Sequence, residues 1–208
     1  MKAAESDTIQ ESIALYGGSF DPVHSAHLEI ARKAQHALKL DKVVFLPAAA
    51  SPLKQSSMQA DSDARLEMLR LATEKEASFQ IDTREIERGG TSYTIDTVHS
   101  IQTDHPSAKL FWIMGGDQFQ LLPEWRNVEQ LSHLLTFIVF KRPGFPLNRP
   151  DLANLSFVEI EAPLMEQSSS LIRARLTQGE AVGDWLPASV EAFISEHRLY
   201  TKQEQHFK

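Results

Sequence analysis

Short apolar runs that end in glycine or proline alternate along this chain with amphipathic stretches of helical period, and no other feature constrains the fold as much. SIALYGG, Ser12 to Gly18, has the make-up of a short buried strand, and HLEIARKAQHALKL after it sets Leu28, Ala31, Ala34 and Leu38 on one helical stripe. KVVFLPA, Lys42 to Ala48, is a second buried strand closed by Pro47. DSDARLEMLRLATEK predicts a helix with acidic caps at Asp61 to Asp63 and an apolar face through Leu66, Leu69 and Ala72 or Thr73. ASFQID reads as a short strand. From Ser92, SYTIDTVHSIQTDH predicts a helix opened by a hydroxyl cap, and AKLFWIMGGD a strand ending on Gly115, Gly116 and Asp117. WRNVEQLSHL and LTFIVFKRPG repeat the helix and strand, Pro146 to Leu155 reads as loop, and SFVEIEA as a last strand. SSSLIRARLTQGE, behind serine caps, and PASVEAFISEHRLY supply the closing helices.

Strands separated by helices need crossovers, and crossovers make strands parallel. The expected class is therefore α/β: a Rossmann-like, doubly wound, mostly parallel sheet with helices on both faces and a small C-terminal helical part at about residues 168–201. With 208 residues, 42% of them hydrophobic, the chain can fill one such core. Residues 12–201 are expected to form a single domain between tails at 1–11 and 202–208. Repeats and low-complexity tracts are absent from the sequence.

Composition removes several function classes. A net charge of -7 argues against a general nucleic-acid binder, which needs a broad basic surface. MKAAESDTIQES holds no apolar run of signal-peptide length, and no later stretch approaches the roughly 20 apolar residues of a membrane span. A cytoplasmic protein with small-molecule partners is expected, with a homo-oligomer left open. The lack of cysteine excludes disulfides and thiolate metal sites.

In doubly wound sheets, ligands lie at the carboxyl ends of the strands. Three unusual segments fall there: GGSFDPVHSAH after the first strand, GGDQF after a later one, and the start of the SSSLIR helix. Glycines let main-chain N–H groups approach an anion, and a helix start supplies orphan donors, so phosphate suits these positions. Neither the P-loop nor the dinucleotide fingerprint occurs. His24 and His27, three residues apart at a helix start, point to roughly the same side and could donate to a polyphosphate. Helical zinc sites space their histidines four apart and need a third ligand, which fits this pair less well. Read alone, Arg173 suits a solvated helix position, Lys54 a surface loop and Trp125 a core or partly buried place, Asp117 suits a helix N-cap, and Asp21 and Pro22 shape the turn.

GGSFDPVHSAH resembles the G-x-F-D-P-x-H-x-G-H element of the nucleotidylyltransferase superfamily, and SSSLIR its I-S-S-T-x-I-R element. DTREIERGGTSYTIDTV, FWIMGGDQF, LPEWRN, KRPG and LPASVEAFISEHRLY narrow the resemblance to bacterial nicotinate-nucleotide adenylyltransferases, over about Ser12 to Tyr200. The resemblance implies transfer of the adenylyl group of ATP to nicotinate mononucleotide, giving deamido-NAD and pyrophosphate. It implies Mg2+ carried mainly by the ATP phosphates, with no protein metal ligands. By the same likeness His24, His27 and Arg173 are the catalytic residues. Gly18, Ser19, Phe20, Asp117, Ser169, Ser170 and Lys54 bind ATP, with Asp117 on the adenosine side. Tyr93, Thr94, Trp125 and Arg126 bind the mononucleotide, Trp125 as a platform for the pyridine ring.

The pattern is departed from at Ala26, where glycine is usual, at Leu53, where histidine commonly precedes the basic residue, and at Gln167, where isoleucine precedes the serines. The turn is expected to survive Ala26, since alanine favours helix. Alternatives are a superfamily member acting on nicotinamide mononucleotide or phosphopantetheine and, more remotely, a nucleotide-binding module without turnover. Phosphopantetheine enzymes share the first element but are shorter and lack the SSSLIR helix.

Overall fold

The computed structural model describes residues 10–50, 58–141, 146–162 and 165–201. Six strands, β1 (Ser12–Gly18), β2 (Lys42–Pro47), β3 (Phe79–Ile81), β4 (Lys109–Gly115), β5 (Thr136–Lys141) and β6 (Ser156–Glu161), form one sheet. Their spatial order is β3-β2-β1-β4-β5-β6, and every pairing is parallel. The helices are α1 (Ser25–Leu38), α2 (Ser62–Thr73), α3 (Arg84–Arg88), α4 (Thr94–Asp104), α5 (Gly116–Gln120), α6 (Val128–Leu134), α7 (Ser169–Gln178) and α8 (Ala188–Glu196).

The period of two along each strand divides the core between two faces. Ala14, Tyr16, Val43, Phe45, Phe111, Ile113 and Phe140 pack with Leu28 and Ala31 of α1, Met68 and Leu69 of α2, Ile172 of α7 and Val190 of α8. Ile13, Leu15, Val44, Trp112, Met114 and Val139 pack on the other face with Ile95 and Val98 of α4, Phe119 of α5 and Leu131 of α6. Alternate residues of one strand thus serve opposite layers, as the doubly wound expectation requires.

Winding direction changes between β1 and β4. Their pairing runs from Ser12↔Lys109 to Leu15↔Trp112, while β1 stays paired to β2 as far as Gly18↔Pro47 and β4 to β5 as far as Gly115↔Phe140. The last three residues of the two central strands therefore part from each other, and a crevice opens at their carboxyl ends.

Several local expectations are corrected. The buried face of α2 is Arg65, Met68, Leu69 and Thr73, whereas Leu66 is half-buried. Ser92 does not cap α4: the N-cap position is Tyr93, and the Ser92 hydroxyl accepts from the Ala49 N–H at 3.1 Å, tying the segment after β2 to α4. Helix α6 begins at Val128 instead of Trp125, because Asn127 adopts a left-handed conformation (φ 54°) that a continuous helix excludes. α3, α5 and a 3-10 turn at Leu122–Glu124 were not evident from periodicity, since each is five residues or shorter.

Candidate active site

The turn after β1 is built by three side chains reaching it from two helices, α2 and α7. Arg65 of α2 donates through Nη1 to the Ser19 carbonyl at 2.8 Å, Arg173 of α7 donates to the Asp21 carbonyl at 2.6 Å, and the Ser169 hydroxyl donates to the Pro22 carbonyl at 3.0 Å. In a planar trans peptide the N–H points opposite to its C=O, so the Arg65 anchor turns the Phe20 N–H away from α2. Phe20 itself has φ 46° and is 1% exposed, its ring packing on Tyr16, Phe45 and His27 with centroids 5.1–5.7 Å away. Its side chain is core, and only its main chain is available to a ligand. Gly17 answers to packing: a Cβ there would lie 2.7 and 2.8 Å from ring carbons of Trp112.

His24 is the N-cap residue of α1, in extended conformation and 6% exposed, and His27 lies in the first turn. The rings sit face to face, with centroids 3.8 Å apart and planes 30° off parallel. The His24 main-chain N–H donates to His27 Nδ1 at 3.2 Å. Because Nδ1 accepts, the His27 ring proton resides on Nε2. Burial lowers the His24 pKa to about 4, so this imidazole is neutral near pH 7. His24 Nδ1 is buried and has no hydrogen-bond partner among the described residues. The pair therefore offers oriented N–H donors and not two positive charges. Ala26 is 5% exposed inside the first turn, which forms as expected.

Helix α7 starts beside this turn. Ser168 caps it by accepting from the Leu171 N–H at 3.2 Å, Ser169 reaches Pro22, and Ser170 is exposed in the first turn. Arg173, one turn on, brings its guanidinium 3.7 Å from the Asp21 carboxylate as well as onto the Asp21 carbonyl. Asp21 is 2% exposed and accepts from the N–H groups of Gln59 and Ala60 and from the Tyr200 hydroxyl. Arg65, Asp21 and Tyr200 were not singled out as site residues. The signal for Arg65 was an arginine at a helical position between apolar neighbours, buried to 1%.

On the other side of Gly17, Gly18 and Ser19 lies a cavity of about 220 Å³. Tyr93, Thr94, Trp125 and Arg126 line it, with Trp112 as a further wall. Trp125 stands edge-on to Trp112 (centroids 6.0 Å, planes 90° apart), and its Nε1 is buried without a hydrogen-bond partner among the described residues. The Arg126 guanidinium lies over the Tyr93 ring at 4.7 Å and 3.7 Å from Asp96. Thr94 opens α4, and among the described residues no cap side chain accepts from its first-turn N–H groups. Glu85, 3% exposed and hydrogen-bonded at 2.7 Å by the Thr97 hydroxyl, also lines the cavity and was missed in the sequence.

Asp117 is exposed in the first turn of α5, just beyond β4, while the cap position belongs to Gly115. Lys54 and Leu53 lie outside the described residues. Among the described residues no three His, Asp or Glu side chains group as a metal site. No helix among them is long and apolar enough to cross a membrane.

The Cytidylyltransferase-like family model matches residues 15–175. A protein of Halalkalibacterium halodurans named "Probable nicotinate-nucleotide adenylyltransferase" is 43% identical over 193 residues, 92% of either chain. A protein of the same name from Geobacillus kaustophilus is 39% identical over 90% of this chain and 85% of its own. Among solved structures, Plasmodium falciparum nicotinic acid mononucleotide adenylyltransferase complexed with NaAD superposes with a TM-score of 0.76, covering 92% of this chain and 98% of that one. At 21% identity that likeness speaks to the fold, and the sequence matches speak to kinship. By the family model and the sequence identities, the chain belongs to the nicotinate-nucleotide adenylyltransferase family of cytidylyltransferase-like proteins.

Proposed function

We propose that the protein transfers the adenylyl group of ATP to nicotinate mononucleotide, as an enzyme of NAD biosynthesis. The observation that carries this reading is the junction at Gly17–Ser19, where a turn with fixed main-chain and imidazole donors meets an aromatic cavity. The names of its relatives support it independently.

In the reaction, a phosphate oxygen of the mononucleotide attacks the α-phosphorus of ATP in line. The bond from that phosphorus to the bridging oxygen breaks, and pyrophosphate leaves with its electron pair. No protein nucleophile is required, so rate comes from positioning and from donors aimed at developing charge. His24 and His27, the main chain at Gly18, Ser19 and Phe20, and the start of α7 at Ser169 and Ser170 face the triphosphate in this reading. Arg173 supplies fixed positive charge, Lys54 adds a contact, and Asp117 holds the adenosine side. ATP enters as its magnesium complex: the Asp21 carboxylate is already held by three hydrogen-bond donors and faces the Arg173 charge, which leaves the metal to the phosphates. Residues 12–201 act as one unit, working in the cytoplasm.

The mononucleotide takes the aromatic cavity, with its ring on Trp125. Its carboxylate meets N–H groups at Thr94 and Arg126, close to the Arg126 charge. An amide would place its NH2 against a donor, at a cost of about 1–3 kcal/mol. Pyrophosphate release from MgATP is measured with nicotinate mononucleotide, nicotinamide mononucleotide and phosphopantetheine. The acid should exceed its amide by about 100-fold in kcat/KM. Parity or a preference for the amide overturns the acceptor, and turnover of phosphopantetheine alone overturns the cavity's assignment.

A further inference from the structure

The Asp21 carboxylate is shared between two kinds of partner. Oδ1 accepts from the Ala60 N–H at 3.1 Å and from the Tyr200 hydroxyl at 2.7 Å, and Oδ2 accepts from the Gln59 N–H at 2.9 Å. Arg173 Nη1 stands 3.7 Å from Oδ2, an ion-pair distance without a hydrogen bond, because its hydrogen bond goes to the Asp21 carbonyl at 2.6 Å. Tyr200 is held from both ends: its ring is buried, and its own carbonyl accepts from the Thr177 hydroxyl of α7 at 3.0 Å. Burial and the adjacent carboxylate push the hydroxyl's titration far above its ordinary range, so it remains a donor throughout the working pH range.

A buried carboxylate and a guanidinium this close attract strongly, and a closer bidentate pair is the geometry they would otherwise adopt. We propose that Tyr200 is a positioning residue for Arg173: its hydroxyl fixes the Asp21 carboxylate, so that the guanidinium stays on the turn's main-chain carbonyl with its charge directed to the triphosphate. The Tyr200 hydroxyl and the Ala60 N–H together hold Oδ1, and the Gln59 N–H holds Oδ2. Without the hydroxyl, Asp21 can swing toward Arg173 and neutralise it. This role rests on the adenylyl-transfer reading above, which the wild-type acceptor panel tests separately.

Tyr200→Phe keeps the buried ring and removes only the hydroxyl. Calorimetric titration with MgATP alone should show at least about tenfold weaker binding, and kcat/KM for ATP should fall about tenfold, while KM for nicotinate mononucleotide stays within about twofold. The second variant is Tyr200→Phe with Asp21→Asn, in which the captured charge is gone. MgATP affinity should then recover by about threefold or more relative to Tyr200→Phe, although the double variant has lost more native interactions. A stabilising role alone predicts lower melting temperatures, equal effects on both substrates and a further loss in the double variant. Any of unchanged MgATP binding in Tyr200→Phe, parallel weakening of both substrates, or no recovery in the double variant overturns the proposal. If Tyr200→Phe fails to fold, the double variant measured against Asp21→Asn decides: equal MgATP affinity in those two supports capture by the charge, and a tenfold difference overturns it.

Discussion

At the scale of single residues, the histidine pair has two separable properties. His27 is a donor through Nε2 because its Nδ1 is engaged by the His24 main chain. His27→Ala should lower kcat by about 100- to 1000-fold, as loss of one preorganised donor to transition-state charge typically does. It should cost about 1 kcal/mol in stability for the lost cap contact. Circular dichroism checks the fold, and retention of more than about a tenth of wild-type kcat would falsify the donor role. His24 carries a pH signature. Its folded pKa, about 4, lies below the ordinary histidine value of 6.5, so the unfolded chain binds the proton more readily between those values. Stability is full above about pH 6.5 and falls by up to about 3 kcal/mol as pH drops to about 4. Urea unfolding should show this loss in wild type and a flatter profile in His24→Gln. Trp125→Ala should raise KM for the mononucleotide about tenfold and leave that for ATP unchanged. Equal effects on both would make Trp125 a structural residue. These side chains were legible because H-x-x-H and W-R stand out in sequence. Arg65 and Glu85 were not: Arg65 sits in an ordinary amphipathic helix and Glu85 in a five-residue helix without visible periodicity, and only the tertiary fold brings them to the turn and the cavity.

At the scale of elements, the strands were read almost to the residue. β1 and β5 are continuous apolar runs, as strands buried on both faces must be, and glycine or a charged residue ends them. Short helices were missed, because five residues carry too little periodicity to see. The end of β1 illustrates a coupling between elements. Gly17 makes room for Trp112 of β4, and Trp112 in turn backs Trp125 in the cavity. Gly17→Ala should therefore do two things together: destabilise by about 1–3 kcal/mol through overpacking, and raise KM for the mononucleotide. Thermal unfolding and steady-state kinetics on the same preparation test this, and a stable variant with wild-type KM would show that the ring moves aside freely.

At the scale of the whole molecule, a doubly wound parallel sheet followed from the alternation of elements and the crossover rule, whereas the strand order and the crevice did not. The crevice depends on where β1 and β4 stop pairing, and register leaves no mark in a single sequence. The same applies to the hydrogen bond between Asp21 and Tyr200, 179 positions apart. That separation gives translation a part in the chemistry. At about 5–20 residues per second, a ribosome needs on the order of 10–40 seconds to proceed from Asp21 to Tyr200. For most of that interval the emerging chain carries its glycine turn and paired imidazoles without Arg173, and until its end without Tyr200. Until both are made, the Asp21 carboxylate lacks the guanidinium and the hydroxyl that the folded protein sets beside it.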